Sequence, residues 1–172
     1  MQKYSAKSNN GRVRQVNEDV YAVSKDTGLV ILADGMGGRN SGQLAASITV
    51  ETILEEFQTV PPEHISHSRL VKTVKEANRR VHSKSMEHKR HEGMGTTLII
   101  AVLVSDKAIF CHVGDSRGYI YHSGSLQQVT VDHSAVQELV DSGKLNLEEA
   151  FCAPNRNIIT RSIGTEKNVV PD

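Results

Sequence analysis

The spacing of apolar positions changes along the chain and separates blocks of strands from blocks of helices. Short apolar segments at 20–24 and 29–33 flank a turn, and this pattern predicts a β-hairpin. Apolar residues then recur three or four positions apart in two segments, which predicts two amphipathic helices. The first helix would bury Ala46, Val50, Ile53 and Phe57, and the second Leu70, Val74, Ala77 and Val81.

Strand-like patterns return in the second half of the chain. A continuous apolar, β-branched run over 96–104 predicts a strand that is covered on both faces. A turn leads into a further strand that ends at Asp115. A hairpin then pairs 118–122 with 126–130 across a turn at 123–125.

The end of the chain carries start signals for two short helices, at Ser134 with Gln137 and at Asn146 with Glu149. Strands and helices therefore come in separate blocks, and the hairpins imply antiparallel pairing. This order predicts an α+β fold rather than alternating βαβ units.

Acidic residues stand at the ends of two of the buried strands. Asp34 follows the apolar run over 29–33, and Asp115 follows the run over 109–113. Together with Glu18 and Asp19, they could gather four carboxylates in one place. Carboxylates that share a dry cleft repel one another unless a cation is present, and hard divalent cations favour all-oxygen sites. The pattern therefore predicts a metal-dependent enzyme.

Length, charge and composition limit the classes of protein to which this chain can belong. A length of 172 residues predicts one domain with a real core, and the formal net charge of zero gives no indication of nucleic acid or an anionic membrane surface. No apolar run approaches the ~20 residues of a membrane-spanning helix. The N-terminus has no apolar signal core, and Cys111 and Cys152 are interpreted as buried, unpaired thiols in a reducing cytosol. We therefore expect a cytoplasmic protein.

The glycine-rich loop after Asp34 has two alternative interpretations. Asp34 and the carbonyl of Gly35 could bind a cation, with the later glycines leaving room for a substrate. Alternatively, the segment is a strand-to-helix turn with a helix-capping Asp. A dinucleotide fingerprint fits poorly, because Asn40 stands where the third glycine is required.

Other polar clusters give weaker signals. Arg14 lies near the Glu18–Asp19 pair and is the natural bidentate partner of a phosphate. Adjacent residues of an extended segment point to opposite faces, so only one of the two acids is expected to touch a given metal. The run 132–134 holds acid, imidazole and hydroxyl together, but a helix cap at Ser134 explains it better than a triad. The glycines at 93–95 are interpreted as sites of close backbone packing.

Taken in order, these segments resemble the metal-dependent protein phosphatases of type 2C, and the bacterial stand-alone branch most of all. The matching pieces run over nearly the whole chain. They are Arg14-x-x-Asn17-Glu18-Asp19, Ala33-Asp34-Gly35-Met36-Gly37-Gly38, Gly95-Thr96-Thr97, Gly114-Asp115-Ser116-Arg117-x-Tyr119, Asp132-His133-Ser134 and Asn157-Ile158-Ile159-Thr160-Arg161-Ser162-Ile163-Gly164.

The resemblance implies a fold and an activity. The fold would be an αββα sandwich of two antiparallel sheets between helix layers, formed by a single domain over 1–172 with a flap-like segment at about 133–156. The activity would be hydrolysis of phosphoserine and phosphothreonine at two Mn²⁺ or Mg²⁺ ions, with a third, weaker ion in bacterial members. The partners would be phosphoproteins, expected to be substrates of a cognate serine/threonine kinase.

The resemblance also implies roles for individual residues. Asp34 would bridge two metals, and Glu18 and the Gly35 carbonyl would bind the second. Asp115 would bind the third metal, and Asp19 would hold water at the metals from outside the ligand set. The phosphate would be bound by Arg14. Arg39 is a further candidate for substrate contact.

The chain departs from the family pattern in two ways. Neither Met36 nor Arg39 is the histidine that other members carry at these places, so leaving-group protonation would fall to water or go unassisted. The sequence stops at Asp172, before the strands that carry two further aspartate ligands of the first metal. The sandwich is therefore expected to be incomplete and to hold fewer ions. The alternative function is a catalytically silent binding or regulatory module, or a fragment that needs a partner chain.

Overall fold

The computed structural model describes residues 3–37 and 41–172. The helices and strands come in the order predicted from the sequence, with an α+β arrangement. The strands are β1 (Asp19–Ser24), β2 (Leu29–Met36), β3 (Gly95–Thr96), β4 (Leu98–Val104), β5 (Lys107–Val113), β6 (Tyr119–His122) and β7 (Ser125–Gln128). The helices are α1 (Ser41–Phe57), α2 (His67–Glu87), α3 (Ala135–Asp141) and α4 (Leu147–Cys152).

The main sheet is antiparallel and has the strand order β1-β2-β4-β5. The short strand β3 continues the line of β4 and pairs with the end of β2 at Gly35 and Met36. Thr97 interrupts the single strand that was predicted over 96–104. The ends of β1, β2 and β4 therefore meet at one edge, where the acidic residues lie.

One face of the sheet carries the core. Helix α1 packs on β1 and β2, and α2 packs on α1. The residues of α1 and α2 that were predicted from helical spacing are all buried. They meet the inward side chains of β2, β4 and β5, which are Leu29, Ile31, Ala33, Leu98, Ile100, Val102, Cys111 and Val113. Buried residues of the connecting and C-terminal segments complete this core: Ile65, Met94, Ile163 and Val169.

The opposite face of the sheet is more open than the sequence predicted. Side chains of β4 alternate between buried and half-buried, so the strand is covered fully on one face only. Tyr21 and Leu32 are cross-strand partners on the open face, and they are 45% and 38% exposed. Strands β6 and β7 form a separate two-stranded sheet whose residues are all exposed.

The β6–β7 hairpin differs from the prediction by its turn. Ser123 and Gly124 alone form the turn, with φ angles of 49° and 82°. Positive φ at both central residues is typical of the tight turns that match strand twist, so the loop has two residues rather than the three expected. The predicted helix starts are present: Ser134 caps α3, and Asn146 forms a full capping box with Glu149 in α4.

The described part of the chain contains no helix long and apolar enough to cross a membrane.

A buried asparagine fastens the C-terminal segment to α2. The side chain of Asn78 is 1% exposed. Its Oδ1 accepts a hydrogen bond from the Gly164 amide at 2.8 Å, and its Nδ2 donates to the carbonyls of Glu166 and Lys167 at 3.0 and 3.1 Å. Gly164 has φ of 92° and lies against Val81, where a Cβ would collide.

We predict that Asn78→Ala lowers the free energy of unfolding by about 2–3 kcal/mol, because it leaves buried backbone groups without partners. Urea unfolding followed by circular dichroism measures the loss. Lys75→Ala, at an exposed position of the same helix, is the matched control and should change stability by less than about 0.5 kcal/mol. Equal midpoints for the two variants would contradict this account of the C-terminal segment.

Candidate metal centre

A polar cavity of about 490 Å³ opens at the edge where β1, β2 and β4 end. Residues from distant parts of the chain line it: Arg14, Glu18, Asp34, Gly35, Met36, Gly37, Thr97, Asp115, Asn157 and Ile159. Five of the residues predicted from the sequence to form the site are therefore brought together: Arg14, Glu18, Asp34, Gly35 and Asp115. The cavity is the candidate functional site.

Asp34 occupies the centre of this edge because its backbone is fixed from two sides. It is the cross-strand partner of Asp19 in the β1–β2 ladder. Its amide donates to the Thr97 hydroxyl at 3.1 Å, and its carbonyl accepts from the Thr97 amide at 2.9 Å. The carboxylate of Asp34 consequently points from a rigid strand into the cavity.

The residue after Asp34 is Gly35, and the space beside its backbone admits no side chain. A Cβ there would collide with the Gly42 carbonyl and would lie 2.7 Å from the Glu18 carbonyl oxygen. The Gly35 amide donates to that same Glu18 oxygen at 3.2 Å. This close approach leaves the Gly35 backbone on the cavity wall.

Glu18 reaches the cavity from the side of α1. Its Oε1 accepts a hydrogen bond from the Gly42 amide at 3.2 Å, in the first turn of the helix. The positive end of a helix dipole favours an ionised carboxylate. Asp19 is not among the residues that line the cavity. Its carboxylate accepts from the Ser8 hydroxyl at 3.1 Å and also hydrogen-bonds to the side chain of Asp34. That only one of these neighbours touches a given metal, and that Asp19 has a supporting role, stay predictions.

Asp115 is held by the turn that follows β5. The preceding Gly114 has φ of 103° and packs against Thr97. The hydroxyl groups of Ser116 and Thr97 share a hydrogen bond of 2.7 Å. Thr97 therefore joins the Asp34 strand to the Asp115 turn, although the sequence suggested only backbone packing near this position.

The guanidinium of Arg117 is paired with Asp132 and does not line the cavity. Its Nε and Nη2 donate to Oδ2 of the nearly buried Asp132 at 2.9 and 2.7 Å. Arg14 is the described arginine that lines the cavity. Arg39 lies outside the described residues, so its predicted contact with substrate stays a prediction.

Burial, together with repulsion between the acids, sets the electrostatics of the cavity. Loss of solvent, and then the charge and hydrogen bond of Asp19, raise the pKa of Asp34 to about 6. Asp115 adds to this shift, and only Arg14 opposes it. Burial likewise raises the pKa of Asp115. The Asp34 side chain still faces open cavity, so a cation can reach it.

These donors fit hard divalent cations. The carboxylates of Glu18, Asp34 and Asp115 and the carbonyl of Gly35 offer only oxygen, which is the donor type that these cations favour. In the described residues, the one set of three acidic, His or Cys side chains with ligand atoms within 4.8 Å of one another is His112, His133 and Asp172, outside the cavity. The cavity acids are more widely spaced, which suits ions that retain several waters.

Comparison with known proteins identifies the family. The family model for protein phosphatase 2C matches residues 8–144. The chain belongs to the protein phosphatase 2C family. A protein phosphatase 2C-type relative from Streptococcus pyogenes is 39% identical over 175 residues, which cover 99% of this chain and 71% of the relative.

Solved phosphatase 2C structures share the fold. The Mycobacterium tuberculosis serine/threonine phosphatase PstP/Ppp has a TM-score of 0.91 and 34% identity, over 99% of this chain and 71% of that protein. A PstP catalytic domain in complex with two manganese ions has a TM-score of 0.85 and 32% identity, over 99% of this chain and 70% of that domain. The chain thus spans about 70% of the length of these relatives.

Sequence reasoning missed three residues that line the cavity of this phosphatase 2C chain: Thr97, Asn157 and Ile159. The extended segment that carries Asn157 and Ile159 hydrogen-bonds to Ala135 and His133. Alternate residues of an extended segment share a face, so the spacing of Asn157 and Ile159 was an available signal. Thr97 gave no such signal, because its role depends on the β2 pairing.

We predict that Mn²⁺ binding weakens as the pH falls through about 6, the pKa of Asp34 in the metal-free protein. A raised pKa means that the proton competes with the cation, so binding should release protons at about pH 5 and few at about pH 8. Calorimetry in buffers of different ionisation enthalpy measures this release. Asp34→Asn removes the titrating group and should abolish both effects. An affinity that is constant from about pH 5 to 8 would contradict the assignment.

Proposed function

We propose that this chain carries the catalytic site of a phosphoprotein phosphatase that hydrolyses phosphoserine and phosphothreonine with a metal-activated water. The observation that supports the proposal most is the convergence of Arg14 with Glu18, Asp34 and Asp115 on one cavity. The family supports it as well, because the PstP relatives are serine/threonine phosphatases by name. Mn²⁺ or Mg²⁺ is the proposed cofactor.

The residues of the chain would act by position and charge. Asp34 would lie between two ions, Glu18 and the Gly35 carbonyl would bind the second, and Asp115 would bind a third. Two divalent ions supply Lewis acidity that makes water a competent nucleophile and offsets phosphoryl charge. Arg14 would bind the phosphate through its planar pair of donors and orient it for in-line attack.

No covalent phosphoenzyme is required in this mechanism. Burial raises the pKa of Cys111 to about 11, so this thiol stays protonated and lies in the core rather than in the cavity. Asp19 would hold water beside Asp34 from outside the ligand set. Met36 lines the cavity without an acidic proton, so protonation of the leaving alcohol would fall to water.

The second candidate is a catalytically silent binding module, or a fragment completed by another chain. The open sheet face around Tyr21 and Leu32 favours it, because a second sheet would cover such a face in the complete αββα sandwich. The chain also spans only about 70% of its relatives. In this alternative, cations would bind weakly and turnover would be small.

We predict that Asp34→Asn abolishes Mn²⁺-dependent hydrolysis of a small phosphoester, because the central ligand loses its charge. Release of inorganic phosphate from p-nitrophenyl phosphate at saturating Mn²⁺ measures it. The contrary result is turnover in the variant equal to that of the unmodified chain.

We predict that Arg14→Ala chiefly raises KM for phosphate monoesters, by about tenfold or more, because one charge-assisted bidentate contact is lost. Arg12→Ala removes an exposed arginine two residues away and is the matched control. If both substitutions have the same effect on KM, Arg14 has no specific role in binding phosphate.

Turnover and association separate the two candidate functions. Mn²⁺-stimulated release of phosphate by the chain alone supports the enzyme. A chain without turnover whose melting temperature rises with its own concentration, or with an added phosphatase 2C fragment, supports the completed-fragment alternative.

A further inference from the structure

A buried histidine outside the cavity has no role in the proposed reaction. His133 is 3% exposed and lies in the loop before α3. Its neighbour Ser134 caps the helix, whereas the imidazole turns back towards the end of β5. The residue that it contacts there is Gly114, directly before the candidate ligand Asp115.

Two hydrogen bonds join His133 to Gly114. The Gly114 amide donates to His133 Nδ1 at 3.1 Å, and the His133 amide donates to the Gly114 carbonyl at 3.0 Å. The ring and the backbone of His133 therefore hold both peptide groups of Gly114. An amide N–H needs a lone pair on its acceptor, so Nδ1 is unprotonated and the proton of the neutral ring is on Nε2.

Asp172 accepts that proton. His133 Nε2 lies 3.2 Å from Asp172 Oδ2, and Arg161 Nη1 donates to the other carboxylate oxygen at 2.9 Å. The backbone of Asp172 is fixed as well, because it exchanges hydrogen bonds of 2.8 and 3.0 Å with His112 of β5. The ring of His133 is thus held at both nitrogen atoms.

His112 completes the packing of this ring. The two imidazoles stack with centroids 4.6 Å apart, and His112 Nε2 lies 2.8 Å from the carbonyl of Val131, to which it donates. Burial lowers the pKa of His133, which is consistent with a neutral ring.

These hydrogen bonds argue against a metal ion bound by His112, His133 and Asp172, despite their spacing. An ion on His133 Nε2 would require the proton on Nδ1, where it would face the N–H of Gly114. The cluster is therefore explained by hydrogen bonds alone.

The Gly114 peptide groups need such support. Gly114 has φ of 103°, a conformation that glycine adopts freely because it has no side chain of its own to restrict the backbone. A small rotation there would swing Asp115, the next residue, away from Asp34 across the cavity. Thr97 packs against one side of Gly114, and the imidazole holds its amide.

We infer that His133, oriented by Asp172, is a positioning residue that fixes the direction of the Asp115 carboxylate through the Gly114 amide. Only its consequence for cation binding rests on the proposed function.

Two substitutions of His133 distinguish the role of Nδ1, which faces Gly114, from the role of Nε2, which faces Asp172. His133→Asn keeps an acceptor close to the place of Nδ1 and loses the reach to Asp172. His133→Gln keeps a donor close to the place of Nε2 and loses the acceptor for Gly114. His122→Gln, in the exposed β6–β7 hairpin, is the matched control.

Nuclear magnetic resonance of the metal-free chain tests positioning directly. We expect slow exchange of the Gly114 amide and one side-chain rotamer of Asp115 in the unmodified chain and in His122→Gln. His133→Gln should speed the exchange by about tenfold, the loss of roughly one hydrogen bond, and average the rotamer. His133→Asn should have a smaller effect on the Gly114 exchange and on the Asp115 rotamer than His133→Gln. Unchanged exchange and an unchanged rotamer in His133→Gln would overturn the inference.

Paramagnetic broadening of Asp115 by added Mn²⁺ tests the consequence. The Mn²⁺ concentration for half-broadening should rise about tenfold in His133→Gln, as for other supports of metal ligands. A faster Gly114 exchange without any change in the Asp115 rotamer or in this concentration would make His133 merely structural and overturn the inference. If the unmodified chain shows no broadening at Asp115 while the rotamer responds to His133→Gln, the proposed metal centre fails and the positioning role stands.

Discussion

Electrostatic repulsion between carboxylates at one sheet edge is the constraint on which the rest of the site depends. Asp34 lies opposite Asp19 in the β1–β2 ladder and faces Asp115 across the cavity. Loss of solvent, and then the charges of these neighbouring acids, raise the pKa of Asp34 to about 6. A chain that folds with this repulsion keeps an unfavourable arrangement which a divalent cation relieves. This arrangement supports the proposal that the cavity binds divalent cations.

The surrounding structure holds these acids through hydrogen bonds from neutral groups rather than through ion pairs. Thr97 holds Asp34 through two hydrogen bonds and reaches the Asp115 turn through Ser116. The start of α1 holds Glu18 through the Gly42 amide. Each acid is thus fixed by neutral groups, and Arg14 is the described arginine that lines the cavity with them.

The two faces of the sheet differ, because one is covered by the helices and the other is partly open to solvent. The helix-covered face provides the core that keeps the edge rigid, and Asn78 ties the C-terminal segment to it. The other face leaves Tyr21 and Leu32 partly exposed to solvent. The candidate metal cavity lies at the end of the strands rather than on either face, so it forms although one face is open.

The sequence by itself determined the elements and most of the donors. Spacing of apolar residues is a local property, so it predicted both helices, the strand order in the chain and the acids at the strand ends. Tertiary structure alone decided that Thr97 interrupts a strand to join two acidic turns, that Asn157 and Ile159 reach the cavity, and that His133 holds Gly114. These contacts join residues that are distant in sequence. Alternation places Asn157 and Ile159 on one face of an extended segment, but only the tertiary structure shows that this face lines the cavity.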